Sequence, residues 1–440
     1  MIRNGKKKAI SCALVAAMSV GLAACGTTSY DFKVSYDGIK TGDVSSKVSV
    51  HDPSILKADG EYYIFGSHMS AAKSSDLLNW EKVADGYSKK NPVYGQIYDV
   101  ADEAFAYSGS KNSLIKTDDK QVHVWAPDVI YNETTGLYYM YYCTTSTWNA
   151  SNLCYGTSTT PEGPYEWQGA LIYSGFNRKT ISGTDVLDYV DEDYAYKNYI
   201  KGAQYNYEDY PNAIDPTVFY DADGRMWMVY GSWSGGIFLL EIDKTTGLVI
   251  HPEADKANNV DPYYGKRLLG GGHISIEGPY IMYDETSGYY YLFVSYGALT
   301  SNGGYQVRVF RSKTVDGEYV DMNGKYPEKS AQHQNFGLKL TGNYKLPSLE
   351  KAYMATGHNS AFVDDDGRMY LVYHTRFNDN GEGHSPRVHQ MLVNEDGWPC
   401  ELPYQTQGET VNKDGYDIDD IIGRYYVINQ GTAIDSKIAN

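Results

Sequence analysis

The chain has 440 residues, with 38 basic and 55 acidic side chains and a net charge of −17 at pH 7. A surface this acidic disfavours nucleic acids and anionic membranes as partners, but it is compatible with a neutral substrate. Only three cysteines follow residue 25, in a spacing that matches no zinc pattern, and an odd number argues against a disulfide framework.

The N-terminus has the pattern of an export signal. Basic residues between positions 3 and 8 precede an apolar stretch, 9–24, that is too short for a transmembrane helix. The stretch ends in LAACG (22–26), which resembles a bacterial lipoprotein processing site. We therefore predict a signal peptide over 1–24, a lipidated Cys25, a linker over 25–48 and a lipoprotein anchored at the cell surface. The alternative is ordinary cleavage beside an incidental cysteine. Removing the signal leaves a net charge of −21.

Five similar units follow, each with an apolar strand, a tight turn and a Tyr-rich strand. They read HDPSILKADGEYYIFGS (51–67), WAPDVIYNETTGLYYMYY (125–142), IDPTVFYDADGRMWMVYGS (214–232), IEGPYIMYDETSGYYYLFVSYG (276–297) and GHNSAFVDDDGRMYLVYHTR (357–376). Alternation with period two predicts strands, and Asp-Gly or Ser-Gly at the turns predicts hairpins. The fold class predicted is all-β, a five-bladed β-propeller with four-stranded blades over 49–405 and a site at one mouth of its axis.

Three segments leave alternatives open. A Tyr- and Asp-rich insertion, about 176–212, is either an ordered rim loop over one mouth of the axis or surface decoration. Residues 406–440 lose the repeat and are either a closing extension or the start of a truncated β-barrel domain. Cys143 and Cys154 either pair across a hairpin or remain inert core thiols.

Carboxylates recur where the units begin. Alignment of the units places Asp52, Ala126, Asp215, Glu277 and His358 at one position, where the innermost strands line the axis. Each Asp-Pro pair alone is typical of a turn. Three carboxylates at aligned positions, however, indicate a functional cluster. Two carboxyls suffice for glycoside hydrolysis, and a third keeps the acid protonated near neutral pH. Glu has the longer side chain and suits protonation of a leaving oxygen. The two Asp residues are then the base and the modulator of the acid's pKa.

Several motifs then resemble glycoside hydrolase family 43, and most closely its endo-α-1,5-L-arabinanases. They are HDPSI (51–55), WAPDV (125–129), NAIDPTVF (212–219), MVYGSWSGGIFLLEID (228–243), SIEGPY (275–280) and GHNSAF (357–362). The resemblance covers about 50–405. It implies Asp52 as general base, Asp215 as pKa modulator and Glu277 as general acid, with inversion at the anomeric carbon. Inversion predicts that the Asp52 and Glu277 carboxyls lie roughly 6.5–9.5 Å apart.

The resemblance also implies a cofactor. In the arabinanases the His that matches His358 binds a calcium ion whose other ligands are mostly waters, so we expect one calcium near the axis. A lone His is more often a hydrogen-bonded core residue, and calcium seldom takes imidazole.

Sugar contacts are expected from four residues. Trp125 is the best stacking platform, Ser232 and Trp233 resemble the family's inner loop, and Asn212 is placed to bind a hydroxyl. For any one Trp, burial between blades is an equally good explanation.

Three hypotheses follow from the sequence. The first is a monomeric surface endo-arabinanase acting on arabinan. The second is an exo-acting α-L-arabinofuranosidase or β-xylosidase on the same fold, which a closed pocket instead of an open cleft would indicate. The third is a non-catalytic glycan-binding lipoprotein, which would have no need of the three carboxylates together.

Overall fold

The computed structural model describes residues 46–117, 122–146, 150–327, 333–346, 349–379, 381–412, 414–423 and 425–439. The predicted signal peptide, Cys25 and most of the predicted linker lie outside these ranges. Among the described residues, no helix has the length and apolar character needed to cross a bilayer. The chain divides into two compact units, of which the larger comprises 40–411 and 427–440.

The larger unit is a five-bladed β-propeller, as predicted, and four of its blades are four-stranded antiparallel sheets. The first blade contains β1 (Ser54–Ala58), β2 (Glu61–Gly66), β3 (Ser70–Ser74) and β4 (Glu81–Ala84), and the second contains β5 (Val124–Asn132), β6 (Leu137–Thr145), β7 (Ser151–Ser158) and β8 (Glu166–Ser174). A small hairpin, β9 (Ile200–Lys201) and β10 (Gln204–Tyr205), comes before the third blade.

The third blade departs from the prediction because its sheet has six strands instead of four. It comprises β11 (Thr217–Tyr220), β12 (Met226–Tyr230), β13 (Ile237–Ile242), β14 (Val249–Ile250), β15 (Val260–Asp261) and β16 (Gly265–Leu269). The fourth blade comprises β17 (Ile276–Asp284), β18 (Tyr289–Tyr296), β19 (Gln306–Ser312) and β20 (Leu338–Lys339), and the fifth comprises β21 (Tyr353–Val363), β22 (Met369–Phe377), β23 (Ser385–Val393) and β24 (Pro399–Glu401).

Helices are few and short in the described chain. The α-helices are α1 (Gly95–Asp99), α2 (Ala101–Ala104), α3 (Val186–Tyr189), α4 (Glu192–Asn198) and α5 (Ile418–Ile421), and the 3-10 turns are Ser67–Met69, Ile181–Gly183, Lys256–Asn258 and His333–Asn335. The insertion at 176–212 is therefore ordered, with α3, α4 and the β9–β10 hairpin.

The core consists of apolar layers between neighbouring blades, and one of them closes the ring. Ile55 and Ile64 of the first blade pack with Val372 of the fifth. The Ser360 hydroxyl donates to the Pro53 carbonyl at 2.8 Å across the same junction. Alternating strand residues supply these layers, which is why the repeats read with period two.

The cysteines of the second blade remain free thiols. Cys154 pairs in register with Tyr142, and Cys143 with Leu153. Successive residues of a strand point to opposite faces, so the two sulfurs lie on opposite sides of the sheet. Both are buried, which agrees with inert core thiols.

The C-terminal residues divide between the two units. Residues 412–426 belong to the smaller one, where the structure describes α5. Residues 427–439 belong to the propeller unit, where the buried Arg308 donates to the carbonyl of Thr432 at 2.5 Å and Lys339 donates to that of Gln430 at 3.1 Å.

A buried carboxyl joins three blades. Asp128 on β5 accepts hydrogen bonds from the Ser54 hydroxyl on β1 and from the Val218 N–H on β11, the latter at 2.6 Å. Burial raises the pKa of Asp128 to about 7.

We predict that Asp128→Ala destabilises the propeller by about 2–4 kcal/mol, because it leaves two buried donors without an acceptor. Thermal unfolding measures the effect. Asp128→Asn is the matched control, since its amide carbonyl still accepts from Val218. Equal unfolding temperatures for the two variants would contradict this role.

Candidate active site

One backbone conformation recurs where the inner strands begin. Asp52, Ala126, Asp215 and His358 all adopt left-handed conformations, with φ between 45° and 55°. Such conformations cost about 1–3 kcal/mol each in non-glycine residues and concentrate at functional sites. The fifth residue of this kind is Gly278, with φ 56°.

The sequence alignment of the fourth unit was therefore wrong by one residue. Glu277 precedes the left-handed position, as Trp125 does in the second blade: Glu277 pairs with Ser295 and Trp125 with Cys143, each immediately before a register shift. The register shift at this point recurs in the second and fifth blades, so it does not set the fourth blade apart. Proline follows the left-handed residue in four units, as Pro53, Pro127, Pro216 and Pro279, and it marks the correct alignment in the sequence. A Cβ on Gly278 would lie 3.1 Å from the His358 ring, and glycine there makes room for the imidazole.

Asp52 is held by a hydroxyl and faces an imidazole. The Ser67 hydroxyl donates to Asp52 Oδ2 at 2.6 Å, and the same oxygen of Ser67 accepts the Ala126 N–H at 2.8 Å. His358 Nδ1 lies 3.1 Å from Asp52 Oδ1. Burial alone would raise the pKa of Asp52, but the neighbouring imidazoles, His358 foremost, and the Ser67 hydrogen bond hold it well below its usual range.

Two further histidines contact Asp52. His51 Nε2 lies 3.4 Å from Asp52 Oδ1, and the Asp52 N–H donates to His374 Nδ1 at 3.3 Å. Burial lowers the pKa of His51 to about 3 and that of His374 well below its usual value. Both rings are therefore neutral at pH 7. The pKa of His358 is raised despite burial, because Asp52, Asp215 and Glu277 surround it, so the protonated ring is favoured beside Asp52.

Glu277 has three donors and yet favours its protonated form. Tyr305 donates to Oε1 at 2.7 Å, and the Trp233 indole and the Ser232 hydroxyl donate to Oε2 at 2.7 and 3.1 Å. Burial raises the pKa of Glu277, and the negative charge of Asp52 adds to the effect. The hydrogen bonds from Tyr305 and Trp233 partly offset this rise.

Asp215 is the third carboxyl of the cluster. It is buried, and its Oδ2 accepts the Gly278 N–H at 3.2 Å, which connects it to the strand that carries Glu277. The pKa of Asp215 is raised to about 7. Burial is the main cause, His358 opposes it, and the charges of Glu277 and Asp52 add to the rise.

The residues predicted to contact sugar lie in different settings. Trp125 is half-buried and holds the strand position that Glu277 holds in its own blade. Asn212 is 5 % exposed, and its Oδ1 accepts hydrogen bonds from Ser151 and Ser174 at 2.7 and 3.4 Å. Ser232 and Trp233 contact the acid itself, as described above. A sugar contact by these residues stays a prediction.

Sequence reasoning missed several residues that contact the carboxylates, namely His51, Ser67, Tyr305 and His374. His51 adjoins Asp52 in the HDPSI motif, which was the one available signal. Tyr305 lies in the loop before β19 of the fourth blade and His374 on β22 of the fifth, and nothing in the repeat pattern singles them out.

The arrangement combines a carboxyl whose pKa is held low, Asp52, with one whose pKa is raised, Glu277. Such a pair supplies the base and the acid that glycosidic bond hydrolysis needs. Fold and site together define a propeller glycosidase.

Comparison with known proteins agrees with this class. The model of glycosyl hydrolases family 43 matches residues 44–208 and 191–399. The extracellular endo-α-(1→5)-L-arabinanase of Thermotoga petrophila is 40 % identical over 402 residues, covering 88 % of this chain and 77 % of the relative. The extracellular endo-α-(1→5)-L-arabinanase 2 of Bacillus subtilis is 37 % identical, covering 90 % and 78 %. A crystal structure of endo-1,5-α-L-arabinanase from Thermotoga petrophila superimposes with a TM-score of 0.75 at 39 % identity, covering 89 % of this chain and 81 % of the other.

The chain belongs to glycosyl hydrolases family 43, which confirms the resemblance seen in its motifs.

We predict that Tyr305→Phe moves the alkaline limb of the pH–rate profile to higher pH. The lost hydrogen bond lowers the pKa of Glu277, so its removal raises that pKa and keeps the acid protonated further into the alkaline range. The rate at the optimum falls roughly 10- to 150-fold, because a hydrogen bond to an ionisable group is worth about 1.5–3 kcal/mol.

The profile of kcat/KM against pH measures the shift. Tyr94→Phe, which alters a buried tyrosine of the core between the first two blades, is the control and leaves both limbs in place. If the alkaline limb of Tyr305→Phe is unchanged or moves to lower pH, Tyr305 does not lower the pKa of Glu277.

Proposed function

We propose that the protein hydrolyses internal α-1,5-L-arabinofuranosidic bonds of arabinan with inversion at the anomeric carbon. The opposite pKa shifts of Asp52 and Glu277 in one buried cluster carry the proposal. Two relatives at 40 % and 37 % identity, both named endo-arabinanases, support the substrate and the endo mode of action.

The residues have distinct roles in this reaction. Asp52, ionised beside His358, takes a proton from the attacking water as the oxygen bonds to the anomeric carbon. Glu277 gives its proton to the glycosidic oxygen as the bond to the leaving chain breaks. Asp215 accepts a hydrogen bond from the Gly278 N–H, and its carboxyl interacts with that of Glu277 so that ionisation of both together is disfavoured. Each turnover leaves Asp52 protonated and Glu277 ionised, and proton exchange with solvent restores both.

Calcium at His358 is a second part of the proposal. Asp52, Asp215 and Glu277 raise the pKa of His358, so positive charge is favoured at this ring. The same three carboxyls favour a cation bound to the neutral ring. One imidazole is a small ligand set for calcium, so waters supply most of the coordination. When bound, the ion supplies positive charge beside the carboxylates. Calorimetric titration with Ca²⁺ tests this, and equal binding by wild type and His358→Ala would exclude the site.

The location of the protein is the third part. We propose export and lipid anchoring at Cys25, which the N-terminal pattern and the extracellular relatives support. Metabolic labelling with radioactive palmitate tests the anchor. Label that persists in Cys25→Ser would disprove it.

Product analysis on linear α-1,5-arabinan tests the activity. Wild type releases a series of short oligosaccharides, whereas Glu277→Ala and Asp52→Asn each lose roughly 10²–10⁴ of the rate, the usual contribution of an acid or base. Glu285→Ala, which removes an exposed Glu from the turn of the same blade, is the control and keeps the wild-type rate.

NMR of the first anomer formed tests the stereochemistry. Initial release of the inverted anomer is expected, and retention would contradict Asp52 as a base. Release of single arabinose units alone would indicate exo action. If the wild type releases no product from arabinan, the assignment of arabinan as the substrate is wrong.

A further inference from the structure

A cavity of about 580 Å³ opens between the 176–212 insertion and the Trp233 loop. Its lining comprises Gly175, Asn177, Gln204, Tyr205, Tyr207, Trp233 and His273. The size is within the range of about 300–1,000 Å³ typical of small-molecule sites, and the mixture of aromatic rings with a few amides is typical of them too.

Trp233 belongs to both the cavity and the acid site. Its indole N–H donates to Glu277 Oε2 at 2.7 Å, while the residue lines the cavity wall. The cavity therefore begins on the Glu277 side of the axis. The oxygen that Glu277 protonates departs with the leaving part of the chain, so sugars extending from that oxygen are directed to this side.

Three rings form a path from the acid outward. The Trp233 and His273 ring centroids are 5.6 Å apart, and those of His273 and Tyr207 are 5.9 Å apart. His273 and Tyr207 are exposed, with 39 % of Tyr207 accessible. Exposed aromatic faces suit the C–H face of a furanose ring, and the amides of Asn177 and Gln204 suit its hydroxyls.

The insertion fixes the position of this path. The Gly235 N–H donates to the Tyr207 carbonyl at 3.0 Å, and the Gly272 N–H donates to the Glu208 carbonyl at 2.7 Å. A Cβ on Gly235 would lie 2.3 Å from the Tyr210 backbone, so glycine permits this close approach. Only main-chain atoms of Tyr207 take part, which leaves its side chain available for a ligand.

We propose that this cavity is a subsite for arabinofuranosyl units on the leaving-group side of the cleaved bond, with Tyr207 and His273 as specificity-determining residues. The proposal rests on the proposed arabinanase activity and deepens it. The insertion then selects substrates that reach beyond the acid, and it favours long chains over short ones.

Rates on linear α-1,5-arabino-oligosaccharides of increasing length test the subsite. Tyr207→Ala lowers kcat/KM about tenfold for oligosaccharides long enough to enter the cavity. It leaves the rate on the shortest cleaved oligosaccharide nearly unchanged. Its early products from arabinan shift toward a different length distribution.

Tyr189→Ala is the matched control. Tyr189 is an exposed tyrosine of the same insertion, 49 % accessible, and its ring packs on His251 with centroids 3.6 Å apart instead of lining the cavity. This variant keeps the wild-type dependence on chain length.

A binding measurement separates recognition from catalysis. Calorimetry with Glu277→Gln and the same oligosaccharides shows weaker binding of the long ones when Tyr207→Ala is added. If Tyr207→Ala matches Tyr189→Ala in both rate and binding at every length, the subsite is overturned while the arabinanase activity stands. If wild type releases nothing from arabinan, the proposed function itself fails.

Discussion

The active-site geometry depends on placing three carboxyls in one buried cluster. Like charges in a low-dielectric interior repel, and each pays a desolvation cost, so the cluster requires compensation. His358 supplies it: its ring lies 3.1 Å from Asp52, and all three carboxyls raise its pKa. One positive charge cannot balance three negative ones. Asp52 remains ionised, whereas Asp215 and Glu277 retain protons more readily.

The propeller produces this cluster through a repeated backbone feature. Each inner strand begins with a left-handed residue, and five-fold repetition directs five such positions toward one axis. The strain at these positions is offset by the apolar layers between blades and by polar connections such as Asp128, which contacts strands of two other blades. A rigid scaffold thus carries a strained site, the arrangement that function usually requires.

The acid is further specified by elements outside the repeat. Tyr305 and Trp233 both donate to Glu277, and both lie in loops between strands. The Trp233 loop is in turn held to the 176–212 insertion, because its Gly235 N–H donates to the Tyr207 carbonyl. The insertion therefore supports the loop whose indole donates to Glu277. Trp233 thus contacts the acid through its indole N–H and also lines the proposed subsite.

The sequence alone determined the propeller and the identity of the three carboxyls, because strand periodicity and repeated motifs are local signals. It did not reveal that Glu277 precedes the left-handed residue of its blade, because the units were matched at their carboxylates and not at the proline that follows positions 52, 126, 215 and 278. Nor did it reveal Tyr305 or the six-stranded third blade, which depend on loops whose path is set by distant packing. Only the tertiary structure decided which carboxyl has a raised pKa and which a lowered one, because burial and neighbouring charges belong to the folded state.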